Sequence, residues 1–211
     1  MFDLRLRPIK DRLLGRPAIA LSRHVDANAL TAMALGVTLG AAVLAATRIP
    51  IAALAAWLAG RMFDGLDGPV ARHRGTATDF GGYLDTVADT IGYAAIPVGV
   101  AIGTDKHATW IAAAVLLGAF FINAISWSYL AAVLEKNGSG ASATGEMTTI
   151  TMPPALIEGA ETIVLFSLFI AFPQSAMWLF AVMAALVGVN IIQRIAWARR
   201  QLNAVASTDA P

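Results

Sequence analysis

The sequence predicts an all-α membrane protein of six transmembrane helices preceded by an N-terminal amphipathic interfacial helix. Three observations carry that expectation. The 211 residues are 57% hydrophobic and 14% charged, with a mean hydropathy of +0.66, whereas a soluble domain is about a quarter charged. Six apolar segments reach the roughly 20 residues that a membrane-spanning helix needs. The cations gather at one set of alternate connections. The net charge of +1 carries no information about nucleic acid, and no nucleic-acid partner is expected.

Met1 to His24 carries Arg5, Arg7, Lys10, Arg12, Arg16 and Arg23 among Leu4, Leu6, Ile9, Leu13, Leu14 and Ile19. It lacks the uninterrupted apolar run and small-residue cleavage site of a secretory signal, so it is expected to be retained. The near-helical spacing of Leu6, Ile9, Leu13 and Leu14 predicts a helix lying on an anionic bilayer surface, with a solvated basic tail as the alternative. Residues 1–24 are thus a juxtamembrane segment, 25–200 the membrane domain and 201–211 a C-terminal tail.

The predicted spans run from Ala27 to Thr47, Ile51 to His73, Gly82 to Gly103, Ala108 to Leu134, Pro154 to Phe172 and Ser175 to Trp197. Their connections alternate between short turns (Arg48 to Pro50, Thr104 to His107, Pro173-Gln174) and longer polar loops (His73 to Gly81, Glu135 to Pro153). With the N-terminus in the cytoplasm, Arg72, Arg74, Lys136, Arg199 and Arg200 join the basic N-terminal segment on the inner side. Only Arg48 and Lys106 are left outside, which orients both termini inward.

Within this apolar chain, Asp64 and Asp67 are three residues apart and Asp85 and Asp89 four apart, so on helices each pair shares one face. Carboxylates in membrane helices are costly and mark function. At about 1.5 Å per residue, Asp67 and Asp64 lie roughly 7 and 12 Å below Arg72, and Asp85 and Asp89 roughly 5 and 10 Å below Gly82. Because the second span runs inward and the third outward, the two pairs reach the same depth and form an oxygen-rich cage. Pairing with Arg61 and Arg72 would set two bases against four acids. One or two hard divalent cations, Mg²⁺ or Mn²⁺, supply the missing charge. The chain contains no cysteine, so neither a disulfide nor a thiolate site competes with that reading.

The small residues Gly65, Gly68, Ala71, Gly75, Gly81 and Gly82 are expected to allow close helix approach and backbone access to a bulky ligand. Arg72, one turn above Asp67, is placed either to bind phosphate with its planar fork or to reach for the interface.

As a pattern, Asp64-x-x-Asp67-Gly68-x-x-Ala71-Arg72, eight residues, then Gly81-x3-Asp85-x3-Asp89 resembles the defining motif of the CDP-alcohol phosphotransferases without a departure. Asn28 to Thr31 is similar to that family's Asn-x-x-Thr, although Asp26-Ala27 stands where many members carry Thr-Pro. The resemblance implies a membrane enzyme of phospholipid synthesis that transfers a substituted phosphate from a CDP-linked donor, usually CDP-diacylglycerol, to an alcohol, with release of CMP. It further implies a six-helix bundle, commonly a homodimer, whose active site faces the cytoplasm, here of a bacterial inner membrane. Residue by residue, Asp64, Asp67 and Asp85 would ligate two Mg²⁺ or Mn²⁺ ions, and Asp89 would be both ligand and general base. Gly68, Ala71 and Arg72 would line the CDP site, with Asn28 and Thr31 as weaker candidates.

The acceptor is less legible. Glu158 and Glu161 share a face near the inner end of the fifth span, and either contact a cationic or polyhydroxyl acceptor or serve structure by binding Arg61 or Arg194. Synthesis of phosphatidylglycerophosphate or phosphatidylinositol phosphate needs a basic cluster for a phosphorylated acceptor. The inner half offers Arg61, Arg194 and Lys136 beside two extra glutamates, so a phosphorylated acceptor is not favoured, and an unphosphorylated polyol, an amino alcohol or a lipid hydroxyl stays open. Residues 135–151 read as a linker rather than a lid. His24, His73 and His107 have no partners at ligand spacing, and the tryptophans read as packing and interfacial anchors.

Two other classes fit less well. An intramembrane aspartyl protease would leave two of the four aspartates unexplained and needs a Gly-x-Gly-Asp sequence that is absent. A divalent-cation transporter would show repeats or broken helices with access from both faces.

Overall fold

The computed structural model describes residues 18–138, 157 and 159–208, with side chains as far as Leu202. Its order is α1 (Ala27–Ala46), α2 (Pro50–Arg74), α3 (Asp79–Thr104), α4 (His107–Lys136), α5 (Gly159–Ala171), a 3₁₀ turn (Pro173–Ser175) and α6 (Ala176–Thr208). There is no strand among the described residues. A short helical turn over 18–21 precedes α1. The interfacial helix expected over 1–24 lies mostly outside the described residues, as do the expected linker and Glu158.

The chain is an integral membrane protein whose described elements are all helical. Four of its helices are long and apolar enough to cross a membrane: α1, α3, α4 and the run Pro173–Leu202 formed by the 3₁₀ turn and α6. Six spans were expected. α2 has the length but carries Arg61, Asp64, Asp67 and Arg72, and the described part of α5 is 13 residues long. α6 continues to Thr208, so helix covers residues 201–208 of the expected tail.

The element boundaries follow local chemistry. Pro50 opens α2, where its missing N–H costs nothing. Gly75 ends α2 in the left-handed region at φ 66°, which glycine adopts without a Cβ penalty. Thr78 caps α3 by accepting from the Gly81 N–H at 3.1 Å. Arg48 (φ 64°) and Asp105 (φ 53°) take the same left-handed conformation at the α1–α2 and α3–α4 corners, which keeps those connections short.

α1 packs along both α2 and α3, and α4 along α6, while α5 leans on α2. In lipid, helices associate through close packing rather than through the hydrophobic effect. A Cβ on Gly99 of α3 would fall on the backbone carbonyl of Ala42, and one on Gly60 of α2 would lie 2.6 Å from the Thr38 hydroxyl. These contacts correct one expectation. Close helix approaches lie at Gly60, Gly99 and Gly103, tighter than at Gly68 and Gly81 of the motif, and Gly75 has nothing within 4 Å of a built Cβ.

The core is aromatic. Trp57, Phe166, Phe169 and Phe180 are fully buried. Trp57 stacks on Phe166 at 5.1 Å, Tyr93 meets Phe166 edge-on at 5.4 Å, and Phe169 meets Phe180 edge-on at 4.8 Å, geometries that favour ring quadrupoles. A second cluster, Ala18, Ala27, Leu30, Leu66 and Val70, closes the end of the bundle nearest the aspartates. Arg74 ties the end of α2 to the strand of chain entering α1 by donating to the Val25 carbonyl at 2.9 Å.

Candidate metal centre and nucleotide site

The α2–α3 hairpin turns over residues 75–78, so the last turns of α2 face the first turns of α3. Carboxylate oxygens of Asp64, Asp67 and Asp85 come within 4.8 Å of one another, and all three side chains are half-buried. The depth argument from the sequence is therefore met for these three. Asp67 is oriented from two directions. The Thr31 hydroxyl of α1 donates to its Oδ2 at 2.8 Å, and the Gly68 N–H donates to its Oδ1 at 2.6 Å. Thr31, expected at the nucleotide, is thus buried behind Asp67.

Asp89 stands apart from the trio. Its Oδ1 accepts from Arg61 Nη1 at 2.6 Å, and the same nitrogen lies 3.5 Å from Asp64 Oδ2. The expected ion pairing is present in part, with Arg61 serving Asp64 and Asp89. The Arg61 side chain is 8% exposed, and its guanidinium carbon sits 4.9 Å from the Trp57 ring centroid and 6.0 Å from that of Tyr93, within cation–π range. The spacing of Arg61 and Asp64, three apart on one helix, was readable. The bond across to Asp89 was not.

The glycines of the motif face polar side chains. A Cβ on Gly68 would lie 3.2 Å from Arg72 Nη1, and one on Gly81 would lie 3.4 Å from Asn28 Oδ1. Arg72 itself is exposed. Ala71 packs against the cluster of Leu30, Leu66 and Val70, so its small side chain faces the helix packing as well as the motif surface. Arg72 thus lies beside Gly68 of its own helix, and Asn28 of α1 beside Gly81 of α3.

Away from this centre, Arg194 of α6 is buried and turns to α4, where its Nη1 donates to Asn123 Oδ1 at 2.8 Å and Ser126 Oγ at 2.9 Å. Asn190 holds the backbone of Ile157 from both sides, accepting at 3.2 Å and donating at 3.1 Å. Neither contact was foreseen. Glu161 lies half-buried in the first turn of α5. His24, His73 and His107 are exposed.

The donor set fits a hard divalent ion. It is all oxygen and anionic, drawn from two rigid helices, and its 4.8 Å spread closes on a cation with metal–oxygen distances of about 2.0–2.2 Å after small side-chain shifts. Such a site, beside an exposed arginine and a glycine without a side chain, can bind a phosphate-bearing ligand and neutralise it.

Comparison with known proteins agrees with this chemistry. The family model described as CDP-alcohol phosphatidyltransferase matches residues 24–192. The inner membrane protein YnjF of Escherichia coli is 33% identical over 172 residues, covering 80% of this chain and 79% of YnjF. The archaetidylinositol phosphate synthase of Pyrococcus horikoshii is 30% identical over 145 residues, 68% of this chain and 67% of that protein. In fold, the chain resembles the Mycobacterium tuberculosis phosphatidylinositol phosphate synthase PgsA1. The crystal structure of PgsA1 with CDP-DAG bound aligns with a TM-score of 0.68 at 21% identity, covering 89% of this chain and 94% of that one. Its complex with manganese and citrate aligns with a TM-score of 0.67.

Proposed function

The chain belongs to the CDP-alcohol phosphatidyltransferase family, enzymes that move a phosphatidyl group from a CDP-linked donor to an alcohol, and we propose that its aspartates on α2 and α3 perform that transfer with two Mg²⁺ or Mn²⁺ ions. The observation that carries this is the convergence of Asp64, Asp67 and Asp85 within 4.8 Å. When bound, such ions supply neutralisation of the pyrophosphate and of the leaving CMP oxygen.

The side chains divide the remaining work. Asp67 is pre-oriented by Thr31 and the Gly68 N–H, so little ordering is left for the moment of binding. Arg72 holds a donor phosphate, and Gly68 leaves that guanidinium room. The acceptor oxygen attacks the phosphorus that bears the lipid, the bond to CMP breaks, and the acceptor proton passes to Asp89. The motif pattern gives Asp89 a second role, as a metal ligand.

We place the donor as CDP-diacylglycerol, supported by the bound CDP-DAG in the similarly folded PgsA1. Reaction between bilayer and water lets acyl chains stay in lipid. The six-span reading, with α2 and α5 as the remaining spans and the site open to the cytoplasm, is supported by the distribution of cations. The acceptor reads as an unphosphorylated alcohol, because Arg61 is occupied by Asp64 and Asp89. A phosphorylated acceptor is the second reading, favoured by the Pyrococcus relative, an archaetidylinositol phosphate synthase, and by the buried Arg194, whose Nε has no hydrogen-bond partner.

The test is CMP release by the purified protein from CDP-diacylglycerol, with Mn²⁺ or Mg²⁺, against a panel of alcohols and their phosphates. Lipid mass spectrometry of cells with and without the chain identifies the product. CMP release independent of any acceptor or divalent ion would overturn the reading.

A further inference from the structure

We infer that the end of the bundle opposite the carboxylates holds a second site, a cavity lined by Arg48 and Lys106 that takes the phosphate head group of an anionic phospholipid. The cavity lies roughly 20–27 Å from the acidic centre along α2 and α3, and nothing in it depends on how the aspartates act.

Its volume is about 280 Å³, just under the range of about 300–1,000 Å³ for small-molecule pockets, so a head group fits while acyl chains lie outside. The walls come from the α1–α2 and α3–α4 corners, the end of α3 and the α5–α6 turn. Buried Val100 and Ile170 make part of them apolar, and Thr104 and Gln174 add polar groups. Among the described residues, no acidic side chain lines the cavity.

Several features call for an anion there. Arg48 and Lys106 are exposed, and neither forms a salt bridge among the described residues. Asp105, next to Lys106, is likewise exposed and in no salt bridge among them. The two cations sit on the far side from the basic N-terminal segment, against the usual bias of membrane proteins. Each also occupies a costly position. Arg48 holds φ 64°, a conformation that suits Gly or Asn. Lys106 is the N-cap of α4, a helix with no side-chain cap and no acid in its first turn. Its charge therefore adds to the positive end of the helix dipole, which a bound phosphate would offset.

The surroundings select a lipid over a free anion. Ile49, Ile51, Ile102 and Phe172, each adjacent in sequence to a lining residue, are exposed and offer acyl chains an apolar surface. Trp110 and Trp178, in the first turns of α4 and α6, are exposed at the same end, as residues at head-group level are.

The test is native mass spectrometry of the full-length protein in neutral detergent, titrated with dioleoyl phosphatidylglycerol or dioleoyl phosphatidylcholine, together with thermal melts. Wild type should bind phosphatidylglycerol about tenfold tighter than phosphatidylcholine. At about a hundredfold excess over its Kd, phosphatidylglycerol should raise the melting temperature by about 5–10 °C. Arg48→Asn/Lys106→Gln should bind the two lipids within about twofold of each other, while Arg48→Lys/Lys106→Arg keeps the preference. Without lipid, Arg48→Asn should melt no lower than wild type, because asparagine accepts the left-handed backbone; a residue that only shaped the corner would not separate stability from lipid binding. Equal binding of the two lipids by wild type, an unchanged preference in the neutral double variant, or its loss in the charge-keeping one would overturn the inference. Inorganic phosphate that displaces phosphatidylglycerol and reproduces the melting shift would overturn the lipid in favour of a free anion. Lys106→Gln alone, expected to lose about threefold of the preference, keeps the test open if the double variant does not fold.

Discussion

The Thr31 hydroxyl and the Asp67 carboxylate are 2.8 Å apart, which makes α1 a working part of a site whose acids all come from α2 and α3. Thr31 is buried, so its hydrogen bond is shielded from water and holds Asp67 in one rotamer.

Thr31→Val keeps the shape and deletes the donor. Activation of CMP release by Mn²⁺ should then require about 10–100-fold more metal, while the unfolding temperature in detergent stays near wild type. A Mn²⁺ titration of CMP release together with a thermal melt distinguishes this from a folding defect.

Asp64→Asn, Asp67→Asn and Asp85→Asn should each lower kcat by about a thousandfold or more, because each removes an anionic ligand worth several kcal/mol in the transition state. Excess Mn²⁺ should not restore them. Chelation of wild type should stop CMP release reversibly, with Mg²⁺ or Mn²⁺ restoring it.

Asp89→Asn should lower kcat by about 10²–10⁴-fold, the range for loss of a general base. An Asn variant that still released CMP at the wild-type rate would remove Asp89 from the proton-transfer role.

Gly68→Val should act on the donor. Its side chain would enter the space of Arg72 Nη1, which already lies 3.2 Å from a built Cβ, and the KM for CDP-diacylglycerol should rise about tenfold with a smaller loss in kcat. Initial rates over a range of donor concentration in mixed micelles read the split.

Gly99→Val should destabilise the bundle by about 1–3 kcal/mol, since the neighbour it meets is the Ala42 backbone carbonyl rather than a movable side chain. Denaturation in detergent should show that loss, with Mn²⁺ activation unchanged in the fraction that remains folded.

Helix positions were legible in the sequence because span length and charge distribution depend on local composition. The meeting of Asp64, Asp67 and Asp85 was legible because two antiparallel helices with a short turn fix relative depth. Rotation about each helix axis is what the spacing left open. It decides that Asp89 turns toward Arg61, that Thr31 turns toward Asp67 and that Arg194 finds Asn123 and Ser126. Those choices depend on packing across elements far apart in the chain. The same limit explains the glycines: Gly60 and Gly99 look like ordinary membrane residues until the path of α1 between α2 and α3 is known.

The contacting rings of Trp57, Phe166, Phe169 and Phe180, all fully buried, also bear on how ions reach the carboxylates. They pack against Arg61 as an apolar layer, a medium in which an unpaired ion is strongly disfavoured. Ions that reach the carboxylates are thus expected to exchange on the side away from these rings.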